Sequence, residues 1–108
     1  MDAAVRAIAE PHRRRILALV AGRELAAGDI AARFDITRPA VSQHLTVLKD
    51  AGLLVERREG TKRLYTARPE GLADLKTFLE SFWGDGLERL KLAAELEEGR
   101  RRRGRRAP

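Results

Sequence analysis

Phe34-Asp35-Ile36-Thr37-Arg38-Pro39-Ala40-Val41-Ser42-Gln43-His44-Leu45-Thr46-Val47-Leu48-Lys49-Asp50-Ala51-Gly52 is the stretch on which the fold turns. Thr37 is a good N-cap, Pro39 is tolerated in a first turn and Gly52 is a natural stop, so the spacing predicts a helix of about four turns. Val41, Leu45 and Leu48, with Val47 at the margin, make one apolar stripe. The opposite side presents Arg38, Pro39, Ser42, Gln43, Thr46 and Lys49, which are short, polar or cationic.

Upstream, Val5 and Ile8 share one face of a first helix. Pro11 fits the first turn of a second, whose apolar residues are Ile16, Leu17, Leu19 and Val20 and whose stop is Gly22. A short helix from Asp29 to Phe34 follows, with Asp29 placed to complement its dipole. Downstream, Leu53–Arg57 and Lys62–Ala67 read as two strands around the turn Arg58-Glu59-Gly60-Thr61, a hairpin with a charged tip. Pro69 opens a long last helix with an apolar stripe of Leu72, Leu75, Leu79, Phe82, Gly86, Leu90 and Ala93, widened by Trp83, Leu87 and Leu96. That is more apolar surface than a small domain consumes. Gly84-Asp85-Gly86 interrupts it, each Gly costing about 1 kcal/mol relative to Ala, so a kink or a close helix approach is expected there.

The 108 residues suffice for one compact domain, placed at residues 1–98, and residues 99–108 are expected to be a disordered Arg-rich tail. That tail carries six Arg and no acid, which accounts for the whole net charge of +6. Within the neutral remainder, residues 33–68 hold eight basic and four acidic side chains, whereas residues 69–98 hold three and eight. A basic middle therefore precedes an acidic last helix. With no cysteine there is no disulfide framework, thiolate metal site or nucleophilic thiol. No apolar run approaches a membrane span and no signal-peptide core opens the chain, so a soluble cytoplasmic protein is expected. No paired carboxylates lie in an apolar context, and no Ser/His/Asp set, phosphate loop or dinucleotide fingerprint appears, which speaks against an enzyme; no cofactor is expected.

Two short helices joined by a tight turn, the second with a polar and cationic face, and then a basic hairpin, make a winged helix-turn-helix arrangement: mainly α with a small β-hairpin, in the order α-α-α-α-β-β-α. The physical reason is fit, because an α-helix fills the major groove of B-DNA and short side chains reach base edges without holding the backbone away. Arg57, Arg58, Lys62 and Arg63 of the hairpin would supply charge to flanking phosphates.

The residues resemble the ArsR/SmtB-type winged-helix transcriptional regulators from Ala7 to about Trp83. The marks are Ile8-Ala9-Glu10-Pro11-His12-Arg13-Arg14-Arg15-Ile16-Leu17, then Asp29-Ile30-Ala31-Ala32-Arg33-Phe34, then Pro39 to Leu48, Ala51-Gly52-Leu53-Leu54, and Arg57-Arg58-Glu59-Gly60 leading to Leu64-Tyr65. The resemblance implies a homodimeric repressor paired through its first and last helices, here Val5, Ile8, Leu72, Leu75, Leu79, Phe82, Trp83, Gly86 and Leu90. Its DNA-reading residues fall on Arg38, Ser42 and Gln43, with Thr37, Pro39 and His44 beside them. Arg38 suits guanine and Gln43 adenine, and a two-fold dimer reads an inverted repeat in double-stranded DNA. Metal-sensing members use Cys pairs, or Asp/His/Glu sets on the last helix; this chain has no Cys and no His in residues 69–98, so it looks like the metal-independent branch, with no metal site and an undefined effector.

Plainer readings stand beside these. His44 lies between the two faces of its helix and suits packing or capping as well as a DNA contact. His12, near a helix start, reads as a surface residue and not as a metal ligand, because no set of three or four ligands is visible; Arg13, Arg14 and Arg15 could touch phosphate but read better as a solvated face with one structural ion pair. Phe78, Phe82 and Trp83 could line a ligand pocket, though they continue the Leu stripe and so favour an interface. The alternative from another class is a winged-helix protein-interaction module, which would have no need of the polar face on residues 37–50.

Overall fold

A computed structural model describes residues 1–105, apart from the side chains of Trp83, Asp85 and residues 103–105. The described elements are α1 (Asp2–Ile8), α2 (Pro11–Leu19), β1 (Leu25–Ala26), α3 (Ala27–Ala31), α4 (Arg38–Asp50), β2 (Leu54–Glu59), β3 (Lys62–Ala67) and α5 (Pro69–Arg105). The backbone forms two units, Met1–Leu75 and a second that begins at Lys76, inside α5.

In the first unit, helices α2, α3 and α4 enclose a core of Ile16, Val20, Ile30, Val41, Leu45, Leu48 and Leu53, each almost fully buried. No polar or charged residue is buried among the described residues, so the core is stabilised by apolar burial alone. Helix α4 is the one the sequence specifies most tightly. Thr37 Oγ1 accepts from the Ala40 N–H at 3.3 Å, and Pro39 sits in the first turn. At the other end Gly52 takes φ +78, while its N–H donates to the Lys49 carbonyl and the Leu53 N–H to the Leu48 carbonyl, both at 3.0 Å. This double bond is the Schellman stop, and it turns the chain directly into β2.

The sheet has the order β1-β3-β2, all antiparallel. Strands β2 and β3 pair from Leu54↔Ala67 to Glu59↔Lys62, leaving the two-residue loop Gly60-Thr61 with Gly60 at φ +62. A glycine with positive φ in the first loop position matches the right-handed twist of a hairpin. The loop is thus two residues shorter than the sequence suggests, because Arg58 and Glu59 extend β2. Strand β1 was not expected: Leu25 and Ala26 pair with Tyr65 and Leu64, and pairing across that many residues leaves no local pattern. Its formation also moves the next helix back, to Ala27–Ala31 instead of Asp29–Phe34.

Two other expectations change. Leu75, assigned to a dimer interface, is 5% exposed within the chain itself and belongs to the core of the first unit. The Arg-rich run is helical as far as Arg105, not disordered over 99–105; residues 106–108 lie outside the described residues. Arginine is a good helix former, and Glu97–Arg100 at 3.7 Å and Glu98–Arg102 at 3.4 Å add one-turn ion pairs. Gly84 and Gly86 lie within the continuous helix, and a Cβ added at either would meet nothing within 4 Å among the described residues of the chain.

Candidate nucleic-acid interface

The polar side of α4 is fully presented. Arg38, Pro39, Ser42, Gln43, Thr46 and Lys49 are exposed, as is the capping Thr37, and they lie opposite the buried Val41, Leu45 and Leu48. Val47 falls on the exposed side at 40%. Not every polar group there is available. The Thr46 hydroxyl donates back to the Ser42 carbonyl at 3.0 Å, and Lys49 Nζ lies 3.5 Å from a Glu56 carboxylate oxygen that also accepts from the Tyr65 hydroxyl. Arg38, by contrast, has no hydrogen-bond or ion-pair partner among the described residues. Its guanidinium rests over Gly28, where an added Cβ would come within 3.3 Å of it. Arg38 also lines a surface groove with Thr61, Lys62 and Arg63, so the start of α4 and the tip of the hairpin present their charges together.

The hairpin cations divide in two. Arg58 and Lys62 are exposed with no partner among the described residues, and Arg63 is exposed. Arg57 is committed inside the chain: its Nε donates to Glu24 at 3.0 Å, a second bond reaches the other oxygen of Glu24, and Glu59 accepts at 3.2 Å. The hydrogen bonds from Arg57 hold the Glu24 carboxyl below the usual carboxylate range, and the same contacts raise the Arg57 pKa. A bidentate pair of this kind fixes the hairpin to the segment before β1. The sequence offers Arg57 as a fourth phosphate contact, because Glu24 is 33 residues away and its approach has no local signature.

His44 faces α2 instead of solvent, with its side chain 18% exposed. Its ring stacks on His12 at 5.6 Å between centroids, and Glu10 and Arg13 lie beside it. Glu10 caps α2, accepting the Arg13 N–H at 2.9 Å. Glutamate is an uncommon cap, so nothing local in the sequence marks Glu10 for this role. Partial burial works against its charge but is outweighed by the hydrogen bonds from His12 and Arg13 and by the two histidines, and its pKa is lowered. Arg13 Nε donates to the Ala7 carbonyl at 2.6 Å, so this residue joins α1 to α2 and is no solvated arginine. Arg15 lies over the Phe34 ring at 4.6 Å, a cation–π contact.

On the proposed interface residues, Val5, Ile8, Leu72, Leu79 and Gly86 are half-buried, Phe82 and Leu90 are each 59% exposed, and the Trp83 side chain lies outside the described residues. No helix among the described residues is long and apolar enough to cross a membrane.

Residues 8–57 match the family model of a helix-turn-helix domain. The chain is 48% identical over 82 residues to the HTH-type transcriptional regulator Rv2034 of Mycobacterium tuberculosis, covering 76% of this chain and 77% of that protein. It is 36% identical to the transcriptional repressor SdpR of Bacillus subtilis, over 80% of this chain and 96% of the other. A crystal structure of a possible transcriptional regulator for arsenical resistance superposes with a TM-score of 0.76 at 42% identity, over 86% of this chain and 96% of that one. The chain belongs to the ArsR family. As a cysteine-free ArsR-family protein, it is a winged helix-turn-helix transcriptional regulator, and α3 and α4 are its helix-turn-helix.

Proposed function

We propose that this ArsR-family regulator is a sequence-specific repressor that binds an inverted repeat in double-stranded DNA as a homodimer. The observation that carries the reading is the division of α4, with one side consumed by the core and the other showing Arg38, Ser42 and Gln43 to solvent beside a cationic hairpin tip. Helix α4 enters the major groove, Arg38 reads guanine O6 and N7, and Gln43 reads adenine N6 and N7; Ser42 contacts a base or a phosphate. Thr37 and Pro39 bring the helix N-terminus to the backbone. His44, turned toward α2, acts at the edge of this surface. Arg58, Lys62 and Arg63 neutralise flanking phosphates, and Arg57 holds the hairpin in place for them. The Arg-rich end adds attraction to phosphate without regard to sequence.

The dimer is proposed to form through Val5 and Ile8 of α1 and the apolar side of α5 at Leu72, Leu79, Phe82, Trp83, Gly86 and Leu90. Recognition helices about 34 Å apart would then meet successive major grooves. A cytoplasmic location follows from that role.

The test is selection of bound fragments from random DNA, followed by mobility-shift titration of the selected site at several salt concentrations. Arg38→Ala and Gln43→Ala are each expected to cost about 1–3 kcal/mol of discrimination at one base position per half-site, with the melting temperature unchanged. Retained selectivity in both variants would sink the assignment of α4, and no shift at low salt would favour a protein-interaction module.

A further inference from the structure

Glu10, His12 and His44 bring one donor atom each to within 4.8 Å of one another, although His44 is 32 positions from His12 in sequence. Glu10 Oε1 lies 2.8 Å from His12 Nδ1, and Glu10 Oε2 lies 3.8 Å from His44 Nδ1. Zinc bonds imidazole nitrogen and carboxylate oxygen at about 2.0–2.2 Å, which puts neighbouring donors of a tetrahedral site roughly 3.3 Å apart. The two separations from Glu10 bracket that value and no pair in the set exceeds 4.8 Å, so closing the set calls for side-chain movement of the order of an ångström. We propose that Glu10, His12 and His44 form a binding site for a zinc-like divalent cation, which clamps the N-terminus of α2 to the recognition helix α4.

The surroundings suit such a site. One carboxylate and two imidazoles are a donor set that zinc takes readily. The His12 ring packs at 5.9 Å from Phe34, which is buried in the core, so the ligand is oriented from below. Coordination through Nδ1 leaves both Nε2 atoms for hydrogen bonds that fix the tautomer. Three protein ligands leave a fourth position for water. The competing group is Arg13, whose Nη1 lies 3.4 Å from His44 Nδ1. It gives up that contact without being stranded, because its Nε and Nη2 donate to the carbonyls of Ala7 and Arg6. Its positive charge lowers affinity without closing the site.

A bound cation would add a rigid link between α2 and the residue next to Gln43. That consequence rests on the DNA-binding reading given above; the cation site itself does not.

The experiment uses the full chain without an affinity tag, titrated with Zn²⁺ against a chromogenic chelator in the absence of DNA. One Zn²⁺ per chain is expected, with affinity falling at least about tenfold in His12→Gln and in Glu10→Gln; loss of even an outer-sphere partner costs that much. His12 is partly exposed and Gln at position 10 can still accept the capping hydrogen bond, so both variants should fold, as circular dichroism would verify. Absence of stoichiometric binding, or equal affinity in the unmodified chain and both variants, overturns the site. In the second arm, Zn²⁺ is expected to change the affinity for the selected DNA site in the unmodified chain and not in His12→Gln. Zinc binding with unchanged DNA affinity overturns the link to α4. Zinc binding by a chain that shifts no DNA leaves the site standing and sinks the repressor reading instead.

Discussion

Helix α4 and the part of α5 beyond Lys76 are both amphipathic in sequence, yet they handle their apolar residues in opposite ways. In α4 the stripe is spent inside the chain: Val41, Leu45 and Leu48 are at most 1% exposed, and what remains outside is polar. In the later part of α5 the large apolar residues face outward, with Leu87 at 49%, Leu90 at 59%, Leu92 at 58% and Leu96 at 63%. A contiguous exposed apolar run of this kind is what the proposed interface rests on. Folding covers the stripe of α4, whereas the stripe in the later part of α5 stays on the surface of the single chain, where the proposed dimer would cover it.

The sharpest way to break this comparison is to hollow out the buried stripe. Leu45→Ala should cost about 2–5 kcal/mol in denaturant unfolding, since the neighbours of a fully buried leucine relax only in part. An effect below about 1 kcal/mol would mean that α4 is less tightly seated than its burial says.

How much of this was legible in the sequence follows from the range of the signals. Helix α4 was readable end to end because its cap, its proline and its stop glycine are all local. Cys-free composition, the hairpin and the polar face were likewise open to inspection. Contacts across many residues were hidden: β1 against β3, Arg57 against Glu24, and His44 against Glu10 and His12. The Arg-rich end misled because composition reports what a segment cannot bury, whereas helix formation there draws on residue propensity and one-turn ion pairs. Leu75 misled for a different reason. Periodicity says which residues share a face but not where the body of the domain ends along that face.

A second prediction probes that boundary. Gly71, in the first turns of α5, has no room for a side chain, because a Cβ would collide with the carbonyl oxygen of Gly52. Gly71→Ala should destabilise the first unit by about 1–3 kcal/mol in thermal unfolding, as overpacking against backbone does. No loss would show that the start of α5 is free to shift.

On the exposed stripe, Leu90→Glu is expected to leave unfolding of the first unit unchanged and to weaken self-association about tenfold or more, the effect of losing roughly 1.4 kcal/mol at an interface. Sedimentation across micromolar concentrations checks it. Unaltered association would remove Leu90 from the interface, and a monomeric parent chain would remove the interface altogether.

The smallest effect concerns the hairpin anchor. Since Arg57 lowers the Glu24 pKa, the pair contributes above the ordinary glutamate pKa, and the contribution disappears as pH falls through the lowered value. Both groups are exposed, so the difference in melting temperature between the parent and Glu24→Gln should be slight at neutral pH and vanish in acid. A difference that grew on acidification would contradict the anchor.

The sheet order carries one more consequence. With β3 in the middle, β2 is left as an edge strand, with no further strand beside it among the described residues. Such an edge is a template for adding a strand from a second molecule, which is how many β-containing proteins begin to aggregate. Here four consecutive residues of that strand, Glu56, Arg57, Arg58 and Glu59, carry charge of both signs. Another copy laid alongside would have to bring like charges together or strip their water, so the strand that lends the hairpin its charge also keeps concentrated protein from polymerising through it.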